Sequence, residues 1–361
     1  MDDARIFLSP PWTGEEERIA VEKAFASGYV APCGPMVDEF DRRLSLLSGM
    51  AAAAVSSGTA ALDLLMRELE TGKGDVVIAS SLTFVATVGP AFHRGAKIVF
   101  VDTDPKTGTM SIELLQEALE EFPHAKCVIA ADIYGQCSDY DRLEEVCSRA
   151  GVPLVIDAAE SVGAKWKGRN SGNAGMAAIY SFNGNKIITT SGGGAVLSND
   201  PGIVSRAKWR AQQARENFVW YEHREIGFNY RMSNILGALG CAQLDRLGEI
   251  VKRKKKTNAF YRSIFSGEEF YPCANESEST NWLTVVLFKN AAARDAVEKK
   301  LSAANIETRP VWKPLHLQPA FEGARTFGGG VSEDLFARGL CLPSGAGMGE
   351  KEFARIEKAL S

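Results

Sequence analysis

The sequence predicts an α/β protein in which a large domain with a mostly parallel sheet is followed by a smaller α+β domain. Between residues 51 and 156, short apolar runs alternate with amphipathic segments. Strand and helix in alternation imply right-handed crossovers and a parallel sheet covered by helices on both faces. The chain of 361 residues is also long enough for one large core and a second, smaller one. We therefore expect a large domain with an N-terminal arm over residues 1–247 and a small C-terminal domain over residues 248–361.

The predicted elements follow one another in a regular order. An extended arm precedes a capping box, whose helix we expect to end near Ser27, and a second helix follows near Val37–Ser48. The predicted strands are Ala51–Val55, Val76–Ala79, Lys97–Val101, Lys126–Ala130, Leu154–Ile156, Ala178–Phe182 and Gly194–Leu197. The helices between and after them are predicted from Thr59, Thr83, Ser111 and Asp141, and over Pro201–Asn217, Ser233–Leu247 and Glu249–Phe265. In the small domain the predictions are a strand at Trp282–Phe288, a helix at Ala292–Ala304 and an extended segment at Glu307–Trp312.

Composition and charge exclude several classes of protein. The net charge is -4, and the basic run Lys252–Lys256 is typical of a solvated helix face, so nucleic acid is not expected as the main partner. Seven scattered cysteines without a C-x-x-C pair argue against a zinc site, or any other metal site of that kind, and against a disulfide framework. The N-terminal sequence lacks the pattern of a secretion signal, and no apolar stretch approaches the roughly 20 residues that span a bilayer. We expect a cytoplasmic protein.

Three stretches carry the chemistry. Lys186 lies between a short apolar strand and the glycine-rich turn Gly192–Gly194, which is a poor place for a solubilising lysine. The apolar run before Asp157 ends in carboxylates, and Ser57 opens a helix together with Gly58 and Thr59. A lysine that can form an imine, an acid at the end of a strand and a helix start that suits a phosphate are what pyridoxal 5'-phosphate (PLP) requires. The sequence therefore predicts a PLP enzyme with Lys186 as its imine-forming residue.

Each of these residues also has an ordinary structural interpretation. Asp157 can pair with the pyridine nitrogen of PLP or cap the following helix, and Glu160 can reach the cofactor hydroxyl, reach the substrate or serve as a cap. The Ser57 stretch is either a phosphate site or a plain N-cap, with Ser181 as a second candidate hydroxyl. Phe84 can stack on the cofactor ring or belong to the core. The combination of the residues is more specific than any one of them.

That combination resembles the DegT/DnrJ/EryC1/StrS family of sugar aminotransferases. The matching stretches are Ser56–Leu62, Thr83–Thr87, Asp157–Glu160, Ser181–Lys186, Gly227–Ser233, Glu307–Trp312 and Leu342–Ser344. The resemblance implies the PLP-dependent fold-type I architecture, with Lys186 as the imine lysine, Asp157 as the pyridinium partner and Phe84 as the stacking ring. It further implies that Gly58, Thr59 and Ser181 hold the phosphate and that Asn229 reaches the phosphate of the neighbouring subunit. A homodimer with active sites at its interface follows from that last role.

One departure from the family pattern bears on the substrate. Much of the family has a histidine before the lysine and Gly-Glu-Gly-Gly after it, whereas this chain has Asn183–Lys186 and Ser191–Gly194. With Leu8–Pro11, Gln213–Asn217 and Glu307–Pro310, this variant resembles the subgroup that aminates UDP-4-keto-6-deoxy-N-acetylglucosamine at C4 on the way to bacillosamine, for glycan or glycoprotein synthesis. L-glutamate would be the amino donor in a ping-pong reaction, with Lys186 as acid and base in turn.

Four further residues are candidates for substrate binding. Arg231 and Arg309 could bind the glutamate carboxylate or the UDP diphosphate, because a guanidinium presents a planar fork to such groups. An ion pair at an interface or between the two lobes is the alternative for both. Trp312 and His316 are placed with them as possible contacts of the nucleotide sugar, although a lone histidine is more often structural.

Other functions remain open at this point. A related enzyme could use GDP-4-keto-6-deoxymannose and form perosamine. A PLP dehydratase is disfavoured because such relatives replace the lysine with histidine. A regulatory homologue without catalysis is disfavoured by the retained Lys186 and Asp157 and by the absence of a helix-turn-helix appendage.

Overall fold

The computed structural model describes residues 4–361, so residues 1–3 of the predicted large domain and of the N-terminal sequence lie outside the description. The strands are β1 (Ala51–Val55), β2 (Val76–Ser80), β3 (Lys97–Val101), β4 (Cys127–Ala131), β5 (Leu154–Asp157), β6 (Lys165–Trp166), β7 (Arg169–Asn170), β8 (Ala177–Ser181), β9 (Gly194–Ser198), β10 (Glu269–Phe270), β11 (Ser277–Glu278), β12 (Thr284–Leu287), β13 (Arg309–Pro310), β14 (Thr326–Phe327) and β15 (Gly339–Leu342). The helices are α1 (Glu15–Ala26), α2 (Pro35–Ser48), α3 (Gly58–Glu68), α4 (Gly89–His93), α5 (Ile112–Glu121), α6 (Tyr140–Ala150), α7 (Pro201–Ala211), α8 (Asn234–Ile264), α9 (Ala291–Ala303), α10 (Gly330–Arg338) and α11 (Glu350–Leu360).

The central sheet has eight strands in the order β1-β9-β8-β5-β4-β2-β3-β14. The pairs from β8 through β5, β4, β2 and β3 to β14 are parallel, and β9 is antiparallel to both β1 and β8. The predicted mostly parallel sheet is confirmed. Residues of β4 and β5 are buried throughout, as expected for strands covered on both faces. The carboxyl ends of β5 and β8 lie side by side, because Asp157 pairs with Ile179.

Three helix predictions were wrong. The two helices predicted on either side of Gly248 form the single helix α8 of 31 residues, which packs along α1 and α2, and packing outweighs the weak helix propensity of one exposed glycine. Helix α7 ends at Ala211, since Gln213 and Ala214 have φ of 60° and 54° and leave the helical region. The helix predicted from Thr83 is replaced by a 3₁₀ turn at Val85–Thr87 and the short α4.

The C-terminal part of the chain forms a second sheet with the order β10-β12-β15-β13. Its core contains Val286, Leu340 and Leu342, packed with Tyr261 of α8. Strand β14 does not join this sheet; it pairs with β3 of the large sheet. Helix α8 passes continuously through residue 247, so the division into domains at that residue stays a prediction. Within residues 4–361, no helix has the length and apolar character needed to cross a lipid bilayer.

Candidate active site

One cavity of about 290 Å³ lies at the carboxyl ends of β5 and β8, against the first turn of α3. Ligands of open α/β sheets bind at such strand ends. Nine of the residues predicted from the sequence line this cavity: Ser57, Gly58, Thr59, Phe84, Asp157, Glu160, Ser181, Lys186 and Trp312. Asn229 does not line it, and it is exposed in a separate groove with Cys33 and Gln213.

Lys186 is held between an acid and an aromatic ring. Its Nζ donates a hydrogen bond of 3.3 Å to Oε1 of Glu160, and it lies 4.3 Å from the ring centroid of Trp282. The side chain is only 12% exposed. The amine of Lys186 therefore has restricted access to water and contacts both a carboxylate and an aromatic face.

Asp157 ends β5 and is buried. Its Oδ2 accepts a hydrogen bond of 2.7 Å from the Thr87 hydroxyl, and its Oδ1 accepts one of 3.1 Å from the backbone N–H of Ala159. Burial raises the pKa of Asp157, while these two hydrogen bonds and the charge of Lys186 act in the opposite direction. Burial therefore makes the anionic form costly in free energy, and a cation placed in the cavity would stabilise it.

Glu160 forms a second buried acid beside Asp157. Its Oε2 accepts a hydrogen bond of 3.1 Å from the backbone N–H of Tyr134, while Oε1 receives the Lys186 amine. Burial raises the pKa of Glu160, and the charge of Lys186 is the main influence that lowers it. Asp132 is a third buried acid of this cavity, and burial raises its pKa to about 6. Three acids and one amine in one cavity are groups between which protons can be exchanged.

The opposite end of the cavity suits a phosphate group. Ser57 is the N-cap of α3, because its hydroxyl accepts a hydrogen bond of 3.0 Å from Ala60 N–H, so the capping interpretation of Ser57 is correct. The first turn of a helix still presents backbone N–H groups and a positive dipole end. A Cβ at Gly58 would lie 3.1 Å from Ser181 Cβ, and one at Gly194 would lie 2.4 Å from Ser57 backbone. Glycine at both positions lets α3 approach β8 and β9 closely.

Phe84 is 50% exposed, so it does not belong to the core. Its ring centroid lies 5.4 Å from that of Trp312 at an interplanar angle of 51°. Phe84 and Trp312 both line the 290 Å³ cavity, where an aromatic face is available to stack on a planar ring.

A second cavity of about 720 Å³ adjoins the first, because Asn185 and Trp312 line both. The N-terminal arm, Trp282 and the segment 307–313 form its walls. Arg309 lines it with an exposed side chain that pairs with Glu307 at 2.8 Å. The Nε1 of Trp312 is buried and has no hydrogen-bond partner among residues 4–361.

The other two predicted substrate contacts lie elsewhere. The guanidinium of Arg231 is buried, donates to Asp41 and to the carbonyl of Ala54, and borders neither of the two cavities, so it is held by an ion pair inside the predicted large domain. His316 shares a hydrogen bond with the Ser81 hydroxyl through Nδ1 and lies 3.1 Å from Glu333 through Nε2. This position ties the end of β2 to α10 and fits a structural role.

Sequence reasoning missed four side chains that shape the site. Thr87 holds Asp157, the Trp282 ring covers the Lys186 amine, and the hydroxyl of Ser9 donates to the carbonyl of Asn185. Tyr134, the fourth, lines the larger cavity. Thr87 lies in a motif recognised from the sequence, so its hydroxyl could have been proposed. Ser9 and Trp282 come from distant segments, and no local pattern connects them with Lys186.

The residues present fit PLP. A buried carboxylate, a helix N-terminus and an amine surround one cavity, which also carries an exposed aromatic face. These are the groups that a pyridinium nitrogen, a phosphate, an aldehyde and an aromatic ring require.

Comparison with known proteins identifies the class. The family model of the DegT/DnrJ/EryC1/StrS aminotransferase family matches residues 11–361, and the chain belongs to this family. It is 44% identical over 368 aligned residues to the "Putative pyridoxal phosphate-dependent aminotransferase EpsN" of Bacillus subtilis, which covers 99% of this chain and 95% of the relative. It is 32% identical to GDP-perosamine synthase of Caulobacter vibrioides, over 99% of this chain and 98% of the relative.

Solved structures agree with this assignment. The "Putative sugar aminotransferase Spr1654 from Streptococcus pneumoniae, PLP-form" superposes with a TM-score of 0.92 at 27% identity, over 99% of this chain and 98% of the other. The predicted fold-type I architecture and PLP as the cofactor are confirmed. The protein is a PLP-dependent nucleotide-sugar aminotransferase.

Proposed function

We propose that this enzyme transfers an amino group from L-glutamate to C4 of a UDP-linked 4-keto-6-deoxy-N-acetyl sugar, the amination that leads to bacillosamine. The observation that carries the proposal is the junction of the two cavities. The Lys186 amine and the Asp157 carboxylate line the smaller cavity, and this cavity meets a larger one at Asn185 and Trp312. The smaller cavity suits the cofactor, and the larger one has room for an extended acceptor beside the reactive amine.

Different residues of the chain have different roles in the reaction. When bound, PLP supplies an aldehyde that carries the amino group between substrates and a ring that withdraws electrons from the donor's α-carbon. Asp157 would pair with the ring nitrogen and keep it protonated. In the first half-reaction Nζ of Lys186 would remove the proton from the α-carbon of glutamate and pass it to the cofactor, and in the second it would take a proton back and deliver it to C4 of the sugar. Glu160, 3.3 Å from Nζ, would hold the amine in place in both half-reactions.

The lining of the larger cavity favours an extended acceptor that carries both apolar and anionic groups. Its walls include Pro10, Pro11 and Val311, and Arg309 and Lys313 also line it. Two cations there suit a diphosphate. The free Nε1 of Trp312 can donate a hydrogen bond to a polar group of the sugar.

A second candidate acceptor is GDP-4-keto-6-deoxymannose. The identity of 32% to GDP-perosamine synthase of Caulobacter vibrioides favours it. The variant motifs at Asn183–Lys186 and Ser191–Gly194 favour the UDP-linked N-acetyl sugar, and we give these more weight because they flank the reactive lysine.

A panel of acceptors tests the proposal. The purified enzyme would be supplied with L-glutamate and with UDP-, GDP- and dTDP-linked 4-keto-6-deoxy sugars, and kcat/KM would be measured for each. We expect the UDP-linked N-acetyl sugar to exceed the others by at least about tenfold, the effect of one well-placed polar contact. A preference for the GDP sugar would replace the proposal with the perosamine reaction.

We also propose that the active enzyme is a homodimer in which Asn229 completes the partner's phosphate site. Asn229 is exposed and separate from the Lys186 cavity of its own chain, although it belongs to a motif shared with the family. Near its groove, Val219, Trp220 and Tyr221 expose large apolar side chains, which is the kind of surface that a second subunit covers.

Mixed dimers test this arrangement. Subunits with Lys186→Ala and subunits with Asn229→Ala are each expected to be nearly inactive alone. After dissociation and reassociation in equal amounts, about half of the dimers are hybrids, and each hybrid has one intact site if Asn229 acts across the interface. Activity should then rise to about a quarter of the wild-type value. No recovery in confirmed hybrids would contradict the cross-subunit role.

A further inference from the structure

A second buried lysine lies on α8. The side chain of Lys254 is fully enclosed, at 2% exposure, whereas its neighbours Lys255 and Lys256 on the same helix are exposed. Its Nζ donates to the backbone carbonyl of Trp282 at 3.1 Å and to that of Ser344 at 2.7 Å. No ion pair with a carboxylate is found for it among residues 4–361. Burial lowers the pKa of Lys254 to about 7.

Both carbonyl partners belong to segments that reach the loop of Lys186. The indole N–H of Trp282 donates to the carbonyl of Asn185 at 2.7 Å, and the Trp282 ring lies against the Lys186 amine. The backbone N–H of Ser344 donates to the carbonyl of Leu8 at 2.6 Å, and the next residue of the arm, Ser9, donates its hydroxyl to the same Asn185 carbonyl at 2.9 Å. Both series of contacts start at the Lys254 amine and end at the carbonyl of Asn185.

We propose that Lys254 is a positioning residue for Lys186: it fixes Trp282 and the N-terminal arm so that both hold the carbonyl of Asn185, the peptide group directly before the reactive lysine. The inference rests on the role of Lys186 in the proposed function. A buried amine is suited to this position because its three N–H donors can serve two carbonyls from separate segments. An apolar side chain would leave both carbonyls unpaired in the interior.

The proposal is tested through the chemical reactivity of Lys186. Full-length protein freed of cofactor would be treated with a trace of acetic anhydride, and the rate of acetylation at Lys186 measured by peptide mass analysis. Lys254→Met should raise this rate by about threefold or more, because the amine loses the cover and the cation–π contact of Trp282. The matched variant Lys255→Met, at an exposed position of the same helix, should leave the rate unchanged.

Two further variants separate positioning from general destabilisation. Lys254→Gln can still donate to both carbonyls and should restore most of the wild-type rate. Trp282→Phe removes the indole N–H together with part of the ring that covers Lys186. If Lys254 acts through Trp282, adding Lys254→Met to this variant should raise the rate by less than it does in the wild-type background. In the loaded enzyme, Lys254→Met should lower kcat for amino transfer and leave KM nearly unchanged.

Two results would contradict the positioning role of Lys254. A folded Lys254→Met protein whose Lys186 reacts at the wild-type rate would overturn the proposal. If Lys254→Met does not fold, Trp282→Phe decides, since an unchanged Lys186 rate there removes the link between the Asn185 carbonyl and the amine. Acetylation requires no substrate, so failure of the acceptor panel would count against the proposed function and leave this result standing.

Discussion

The two cavities that meet beside Lys186 are built in different ways. The smaller one is formed mainly by the ends of β5 and β8 and the first turn of α3, and it contains three buried acids and one amine. The larger one is formed by the N-terminal arm, Trp282 and the segment 307–313, which are far apart in the chain. The first cavity is part of the rigid sheet, whereas the second depends on how separate segments come together.

This difference in construction suggests that the two cavities have different functions. Chemistry common to all substrates is assigned to the sheet, where strand ends fix the positions of charged groups within narrow limits. Recognition of a particular acceptor is assigned to loops and the arm, which can vary without disturbing the core. Variants in the smaller cavity should therefore affect both half-reactions, and variants in the larger cavity should affect only the half-reaction with the sugar.

The largest effect is expected from Lys186→Ala. The variant loses the amine that we propose moves protons in both half-reactions, so kcat should fall by at least about 10²- to 10⁴-fold with glutamate and with the sugar. Both single-turnover reactions would be followed by absorbance of the cofactor. Lys255→Ala, on the exposed face of α8, is the control. Retained transfer by Lys186→Ala would remove Lys186 from the chemistry.

Asp157→Asn should affect activity and stability in opposite directions. Losing the charge beside the pyridinium should lower kcat by about 10²- to 10³-fold in both half-reactions. Burial raises the pKa of Asp157, so the carboxylate costs folding free energy near neutral pH in the cofactor-free protein, and its neutral replacement should raise the urea midpoint of that protein. Urea denaturation at pH 7 measures the second effect. A variant that is both active and less stable would contradict this account of Asp157.

Arg309→Ala tests the larger cavity alone. Arg309 is exposed beside Glu307, and we expect its loss to raise KM for the nucleotide sugar about tenfold while the glutamate half-reaction is unchanged. Steady-state kinetics with each substrate varied in turn would measure the two values. An increase in KM for glutamate instead would assign this arginine to the donor carboxylate and break the proposed separation of the cavities.

The smallest expected effect is the contribution of Lys254 to the pH dependence of the free energy of unfolding. Its pKa is lowered from 10.5 in the unfolded chain to about 7 in the fold, so between these values the unfolded chain binds more protons and stability rises with pH. Relative to Lys254→Met, the wild-type protein should gain about 1–2 kcal/mol of unfolding free energy between pH 7 and pH 8.5. Denaturation of both proteins across this range gives the difference. A constant difference would mean that Lys254 does not titrate there.

Local sequence patterns indicated the residues of the smaller cavity better than those that depend on contacts between distant segments. Asp157, Glu160 and Lys186 could be assigned from the sequence because each lies in or beside a local apolar run, and the parallel sheet then brings the strand ends together. Arg231 could not be assigned, since its partner Asp41 is 190 residues away and its burial depends on the packing of α2. The single helix α8 was also missed, because Gly248 reads as a break when the helices that support α8 are not considered.

The arm has a practical consequence for handling the protein. Ile6 pairs with Ile306, the carbonyl of Leu8 accepts from Ser344, and Ser9 donates to the peptide beside Lys186, so the arm helps to build the candidate active site. Shortening the chain by nine residues would remove these contacts, and a bulky purification tag fused at that end could compete with them. Affinity tags are better attached after Ser361, where the exposed end of α11 borders neither cavity.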